Sequence, residues 1–230
     1  MPPVPSRPPI QKRFLIVGEG AGDSAFFRHL CELRGIPDFQ SEDAGGTSKF
    51  QAYLDGLESR TGIGNLEAVI IIGDNDDAPA ERFRELRTQL KKARLPYPDN
   101  PLEIARRANP NFAVIVVMLP FTAAGAVARG CLETILLESA AQRHAAIKLC
   151  VDGYAACVGV NGWSIAKTSK MLLRCILSAA WPDDPNYGLQ YALNPAKNLI
   201  PLDHTCFDLI AHFLEDFPTG LGAGQFTLRP

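Results

Sequence analysis

No pair of cysteines in this chain has CxxC spacing, and the four histidines, His29, His144, His204 and His212, fall at no metal-ligand interval. A zinc finger or ribbon is therefore excluded. The six cysteines, Cys31, Cys131, Cys150, Cys157, Cys175 and Cys206, sit in apolar, mostly helical contexts. Reduced, buried thiols are expected rather than a disulfide framework, in keeping with a cytoplasmic location. No apolar run reaches membrane-spanning length, and the amino terminus lacks the charged-then-apolar order of a signal peptide. Neither export nor a membrane partner is expected. An excess of one charge is missing too: 23 basic and 25 acidic side chains leave a net charge of −2, with no global footprint for nucleic acid. What the chain does have is 230 residues, 47% of them hydrophobic, enough for one α/β domain with a helical extension.

The most informative stretch is Ala68-Val69-Ile70-Ile71-Ile72-Gly73-Asp74-Asn75-Asp76-Asp77. A run of β-branched residues ending in glycine and acids predicts a buried parallel strand that delivers carboxylates at its carboxyl end, where open α/β sheets collect ligands. In an extended chain Asp74 and Asp76 point the same way and Asn75 the other. Convergent carboxylates repel, and a divalent cation relieves the repulsion. A turn that caps the next helix is the competing explanation.

Around this strand the pattern alternates. Residues 13–17 form a first strand, 24–34 a helix stopped by Gly35, a short extended piece lies near Phe39, and 48–57 form a second helix. After the acidic strand come a helix to Lys92 with Pro79 in its first turn and another buried strand at 112–118. Such alternation predicts a parallel sheet with right-handed crossovers. The second half is helical, at 132–150, 165–179 and 205–217, after a mobile-looking segment at 122–130. The expected division is a disordered Pro-rich lead at 1–11, an α/β core at 12–118, a helical continuation of the same domain at 119–217 and a loose tail at 218–230.

Gly18-Glu19-Gly20-Ala21-Gly22-Asp23 is a glycine-rich loop between strand and helix, the usual place for a phosphate cradle. A dinucleotide fingerprint starting at Gly18 needs glycine where Asp23 stands, and a Walker loop needs glycine, lysine and a hydroxyl from that position on. A phosphoribosyltransferase loop needs a small, hydroxyl-rich run after paired acids, whereas Asp77 leads into Ala78-Pro79-Ala80-Glu81-Arg82. All three readings fit poorly.

Together the two acidic loops, Glu19-Gly20-Ala21-Gly22-Asp23 and Asp74-Asn75-Asp76, resemble the paired EGxxD and DxD signature of the Toprim domain. Further along, Leu119-Pro120, Gly130-Cys131-Leu132-Glu133, Lys167-Thr168-Ser169-Lys170 and a terminal helix with Phe213-Leu214 look like an uncharacterised bacterial Toprim-like family. That family is similar to the nuclease module of the overcoming-lysogenization-defect (OLD) proteins. The resemblance implies a Toprim-like, Rossmann-like α/β fold with a mainly parallel sheet flanked by helices and a helical C-terminal extension. It also implies Mg²⁺- or Mn²⁺-dependent hydrolysis of DNA or RNA phosphodiesters with one or two ions, and a separate ATPase partner, because fuller OLD proteins fuse an ATPase to this module.

Carried over by position, Asp74, Asp76, Asp23 and Glu133 would hold metal, Glu19 would be catalytic, and Lys170, or failing it Lys167, would place positive charge near the scissile phosphate. Two such ions would activate water and neutralise the phosphoryl and leaving oxygens. The nuclease pattern often has a hydroxyl two residues before the late glutamate; here it is Cys131. Each assignment has a structural competitor: Asp23 and Asp77 as helix caps, Glu133 as a partner of a helix dipole, Lys170 as a solvated side chain. Arg82, Arg84, Arg87, Lys91 and Lys92 open the chain's most basic stretch, suited either to a nucleic-acid backbone or to a solvated helix face. A non-catalytic effector and a small-molecule phosphotransferase or phosphohydrolase remain open as alternatives.

Overall fold

The structure, a computed structural model, describes residues 7–108, 111–123, 128–226 and 228–229. Its first half is strand β1 (Phe14–Gly18), helix α1 (Ala21–Arg34), β2 (Phe39–Asp43), α2 (Thr47–Asp55), β3 (Ala68–Asp74), α3 (Pro79–Lys92) and β4 (Ala113–Leu119). The four strands form one parallel sheet in the order β2-β1-β3-β4. This is the α/β alternation that the apolar runs predict. Strands β1 and β4 are buried along their whole length and β3 as far as Gly73, so the sheet is covered on both faces and its sequence shows no polar alternation.

Alternate residues nevertheless serve different layers. Phe14, Ile16, Ile70 and Ile115 pack with Phe26 and Leu30 of α1 and with the helices of the second half. Leu15, Val17, Val69 and Val114 pack with Phe50 of α2 and Leu86 and Leu90 of α3. Each fully buried side chain of this kind stabilises the fold by about 1.5–3 kcal/mol.

The second half comprises α4 (Leu132–Arg143), α5 (Ala145–Val158), α6 (Ile165–Ala180), the single turn α7 (Leu189–Ala192) and α8 (Asp208–Ala223). The single helix expected at 132–150 is thus two. His144 breaks it with φ −119° and ψ 46°, and its Nε2 meets the carbonyl of Leu199 at 3.0 Å. The last helix also differs, continuing through Pro218 to Ala223 where a loose tail is expected. Aromatic packing favours the longer helix: Phe226 folds back on Phe213 and Phe217, with ring centroids 5.3 and 5.1 Å apart.

The lead is docked where it is described. Ile10 is buried against Leu15 and Leu57, Arg7 donates to the carbonyl of Asp43 at 2.7 Å, and Arg60 donates to that of Pro8. The remainder of the disordered lead, residues 1–6, lies outside the described residues, as do 124–127 of the segment expected to be mobile. Both ends of that segment are pinned. Asn75, fully buried, donates from its backbone N–H to Leu119 and from Nδ2 to the carbonyls of Pro120 and Ala128. Asp76 and Gly130 exchange backbone hydrogen bonds of 2.6 and 3.0 Å in an antiparallel bridge. Among the described residues no helix is long and apolar enough to cross a membrane.

Candidate metal centre

Strand order reverses between β1 and β3, so the chain leaves these neighbours toward opposite sides of the sheet and a crevice opens at their carboxyl ends. Both acidic loops flank it. In the first, Asp23 Oδ2 accepts the N–H of Gly20 at 2.9 Å, which closes the start of α1. Gly18 is required there, because a Cβ on it would lie 2.3 Å from Cβ of Asp23. The helix begins at Ala21 rather than Ser24, so Asp23 lies in its first turn.

Asp74 ends β3. Its Oδ1 accepts the N–H of Leu132 at 2.9 Å at the start of α4, while Oδ2 faces Lys170 Nζ of α6 at 3.8 Å. The same ammonium lies 3.6 Å from Asp76 Oδ1. The sequence reading put Asp74 and Asp76 on one side with Asn75 opposed, and Lys170 bridges the two acids while Asn75 turns inward. Simple strand alternation is not the cause: Asp76 has φ 45°, held by the bridge to Gly130.

Glu133, in the first turn of α4, completes the group. Ligand atoms of Asp74, Cys131 and Glu133 lie within 4.8 Å of one another. Three separate elements, β3, α4 and α6, therefore converge, and α1 contributes Asp23, which feels the charges of Glu133 and Lys170.

Burial first, and neighbouring negative charge second, act on these carboxyls. Burial pushes the Asp74 carboxyl up to about 7, with the charges of Asp23 and Glu133 adding and the Leu132 N–H and Lys170 opposing. Burial likewise pushes Asp23 up to about 6, against the pull of the Gly20 N–H. Burial alone would lower the Lys170 ammonium, yet Glu133, Cys131, Asp74 and Asp76 raise it. One lysine leaves the acids short of positive charge. Hard carboxylate oxygens in this state could hold a divalent cation, Asp74 and Glu133 being the two acids whose ligand atoms lie close together.

Cys131 is the group's residue that sequence reasoning did not count as a site residue; its only signal was the departure from a hydroxyl at that position. Burial pushes its thiol up to about 12, with Glu133 adding, so it stays protonated and its Sγ lies near Thr134 Oγ1 and the Ala166 carbonyl. In the metal-free protein this thiol is a neutral wall of the site.

Glu19 and Lys167 have partners of their own. Glu19 is ion-paired with Arg82 at the start of α3, and Arg82 also holds Glu85 at 2.7 Å. Lys167 sits over the ring of Trp163, 4.0 Å from its centroid, so Lys170 is the lysine at the acids. Along the basic stretch Arg87 pairs with Asp99, while Arg84, Lys91 and Lys92 are exposed on α3.

Among solved structures, the chain is similar to the C-terminal region of the Xanthomonas campestris pv. campestris OLD protein, at 16% identity and a TM-score of 0.39 over 90% of this chain and 97% of that one. It is also similar to the C-terminal region of the Burkholderia pseudomallei OLD protein, at 15% identity and a TM-score of 0.36 over 93% of this chain and 89% of that one. No curated protein matches. A family model described as a protein of unknown function, DUF3226, matches residues 12–218, and the chain belongs to that family.

Proposed function

We propose that this protein is a divalent-metal-dependent phosphodiesterase acting on DNA or RNA. The observation that carries the reading is the convergence of Asp74, Glu133 and Lys170 from three elements on one spot, with Asp23 and Asp76 beside them. Asp74, Glu133, Asp76 and Asp23 would hold one or two Mg²⁺ or Mn²⁺ ions, which supply a nucleophilic water and neutralise charge on the phosphoryl oxygens. Asp74 is positioned for this by the Leu132 N–H, since Oδ1 is spent on that bond and Oδ2 is left facing Lys170. Lys170 supplies a fixed positive charge for the developing phosphoryl anion. Glu19 would take or give a proton, with Arg82 as the countercharge that fixes it. Arg84, Lys91 and Lys92 would track the strand along α3, and a separate ATPase would act as partner.

The test incubates supercoiled plasmid, single-stranded DNA and RNA with Mg²⁺ or Mn²⁺, with Asp74→Asn and Glu133→Gln proteins alongside. Cleavage that needs metal and is lost in both variants is expected. Cleavage that survives in both would show that these acids are not the site, and metal binding without any cleavage would instead favour a non-catalytic effector.

A further inference from the structure

Beside the acids, a cavity of about 370 Å³ runs between α6 and residues 185–189, within the usual size range of a single small ligand. Glu133 and Lys170 are part of its lining and belong to the candidate metal centre as well. Tyr187 and Arg174 line the cavity too, and Met171, Leu173, Leu177 and Leu189 give it apolar wall. From this arrangement we propose that the cavity is the subsite for one unpaired nucleotide of a polynucleotide strand. The proposal rests on the phosphodiesterase reading and adds the form of the substrate to it.

The wall is built rather than incidental. Arg174 Nη1 donates to the carbonyl of Tyr187 at 2.6 Å, Ser178 Oγ to that of Pro185 at 2.7 Å, and Tyr187 Oη to that of Leu177 at 3.0 Å. These three bonds tie the turn after α6 back onto the helix and fix the tyrosine ring. Leu189 lies against Gly22 of the first acidic loop, where a Cβ would come within 3.0 Å of its Cδ2, so the cavity wall and that loop are in register.

The chemistry of the lining selects the ligand. An aromatic ring with aliphatic neighbours suits the face of a base, and the guanidinium of Arg174 has further donors for a base edge or a phosphate oxygen. Lys170 places the adjoining phosphate at the carboxylates. A base that is stacked and paired inside a duplex cannot enter a cavity of this size, so only an unpaired or extruded nucleotide brings its phosphate to the acids.

Binding of short fluorescent DNA and RNA strands, single-stranded and as blunt duplexes, is measured by anisotropy in Ca²⁺, and cleavage in Mn²⁺. Single strands are expected to bind more tightly than duplexes. Tyr187→Leu should weaken single-strand binding by about 5- to 150-fold, the range of base–aromatic stacking, whereas Tyr187→Phe, which keeps the ring and loses only the bond to Leu177, should weaken it far less. Because Tyr187→Leu can disturb the turn, the second measurement changes the substrate instead: one abasic position is moved along the strand, and a similar loss is expected at a single register relative to the cut. Equal binding of duplex and single strand, indifference to every abasic position, or competition by free nucleoside monophosphate as tight as by the strand would each overturn the subsite. A protein that neither binds nor cuts any strand defeats the phosphodiesterase reading itself. Strands bound or cut without base dependence defeat the subsite alone.

Discussion

Replacing Asp74 by asparagine should make the metal-free protein more stable while abolishing its use of metal. The Asp74 carboxyl is pushed from an ordinary 3.8 up to about 7, chiefly by burial and then by Asp23. A carboxyl raised in the folded state holds its proton more tightly there than in the unfolded chain. Its contribution is therefore most favourable at low pH and is lost as pH climbs from 3.8 through about 7. Rather more than three units at about 1.4 kcal/mol each put the full penalty near 4 kcal/mol at pH 8. The value of about 7 already includes the pull of the Leu132 N–H and of Lys170 on the charged form, and asparagine keeps an acceptor for that N–H while carrying no charge. A gain of up to about 4 kcal/mol raises Tm by up to roughly 8–16 °C in a chain of this size. Thermal unfolding followed by circular dichroism in chelator should show that gain at pH 8 and a smaller one at pH 5. Excess Mg²⁺ should then raise the Tm of the parent protein and leave the variant unmoved. A variant that melts at or below the parent at pH 8, or by the same margin at both pH values, would refute the account of crowded charge.

Two further outcomes follow from the same geometry. Lys170→Met removes the ammonium that lies 3.8 and 3.6 Å from Asp74 and Asp76, so the acids should bind Mn²⁺ at least as tightly by calorimetry while kcat for strand cleavage falls by about 10²–10³-fold; weakened Mn²⁺ binding would mean that the lysine organises the acids instead of competing with a cation. Asn75→Leu removes the Nδ2 donor from the half-buried carbonyls of Pro120 and Ala128, of which the first keeps the Ala128 N–H, and should destabilise the fold by about 1–3 kcal/mol in urea titration, against a near-neutral change if those contacts were incidental.

Local pattern carried the sheet and left the helical half less legible, for physical reasons that particular residues show. Runs such as Val69–Ile72 and Val114–Val117 have no alternative to a doubly covered strand, so sequence and structure agree there within a residue. His144 sits in alanine-rich sequence that would carry a helix onward, and the break depends on a contact with Leu199, 55 positions away. Pro218 argues locally for a helix end, but the aromatic cluster of Phe213, Phe217 and Phe226 rewards continuing past it. At the site, acids at strand ends were readable because sheet topology alone gathers them. Pairings between side chains were not: Arg82 reads as a surface base in its helix yet meets Glu19 across the sheet, and nothing in the spacing of Lys167 and Lys170 says which of them faces Trp163. The role of Asp23 was legible in both its forms, since it caps α1 and also feels the charge of Glu133.

The backbone bridge between Asp76 and Gly130, with Asn75 tying down Leu119, Pro120 and Ala128, has an evolutionary consequence. It staples the exit of β3 to the entrance of α4 by main-chain bonds and by a side chain directed away from the cleft. The spacing of Asp74 and Glu133 is thereby set independently of the chain that joins β4 to the bridge. Residues can be added to or removed from that connection, or a recognition segment spliced into it, while the carboxylates keep their places. Within such a lineage, length variation should concentrate between Pro120 and Ala128 and spare the two stapled ends.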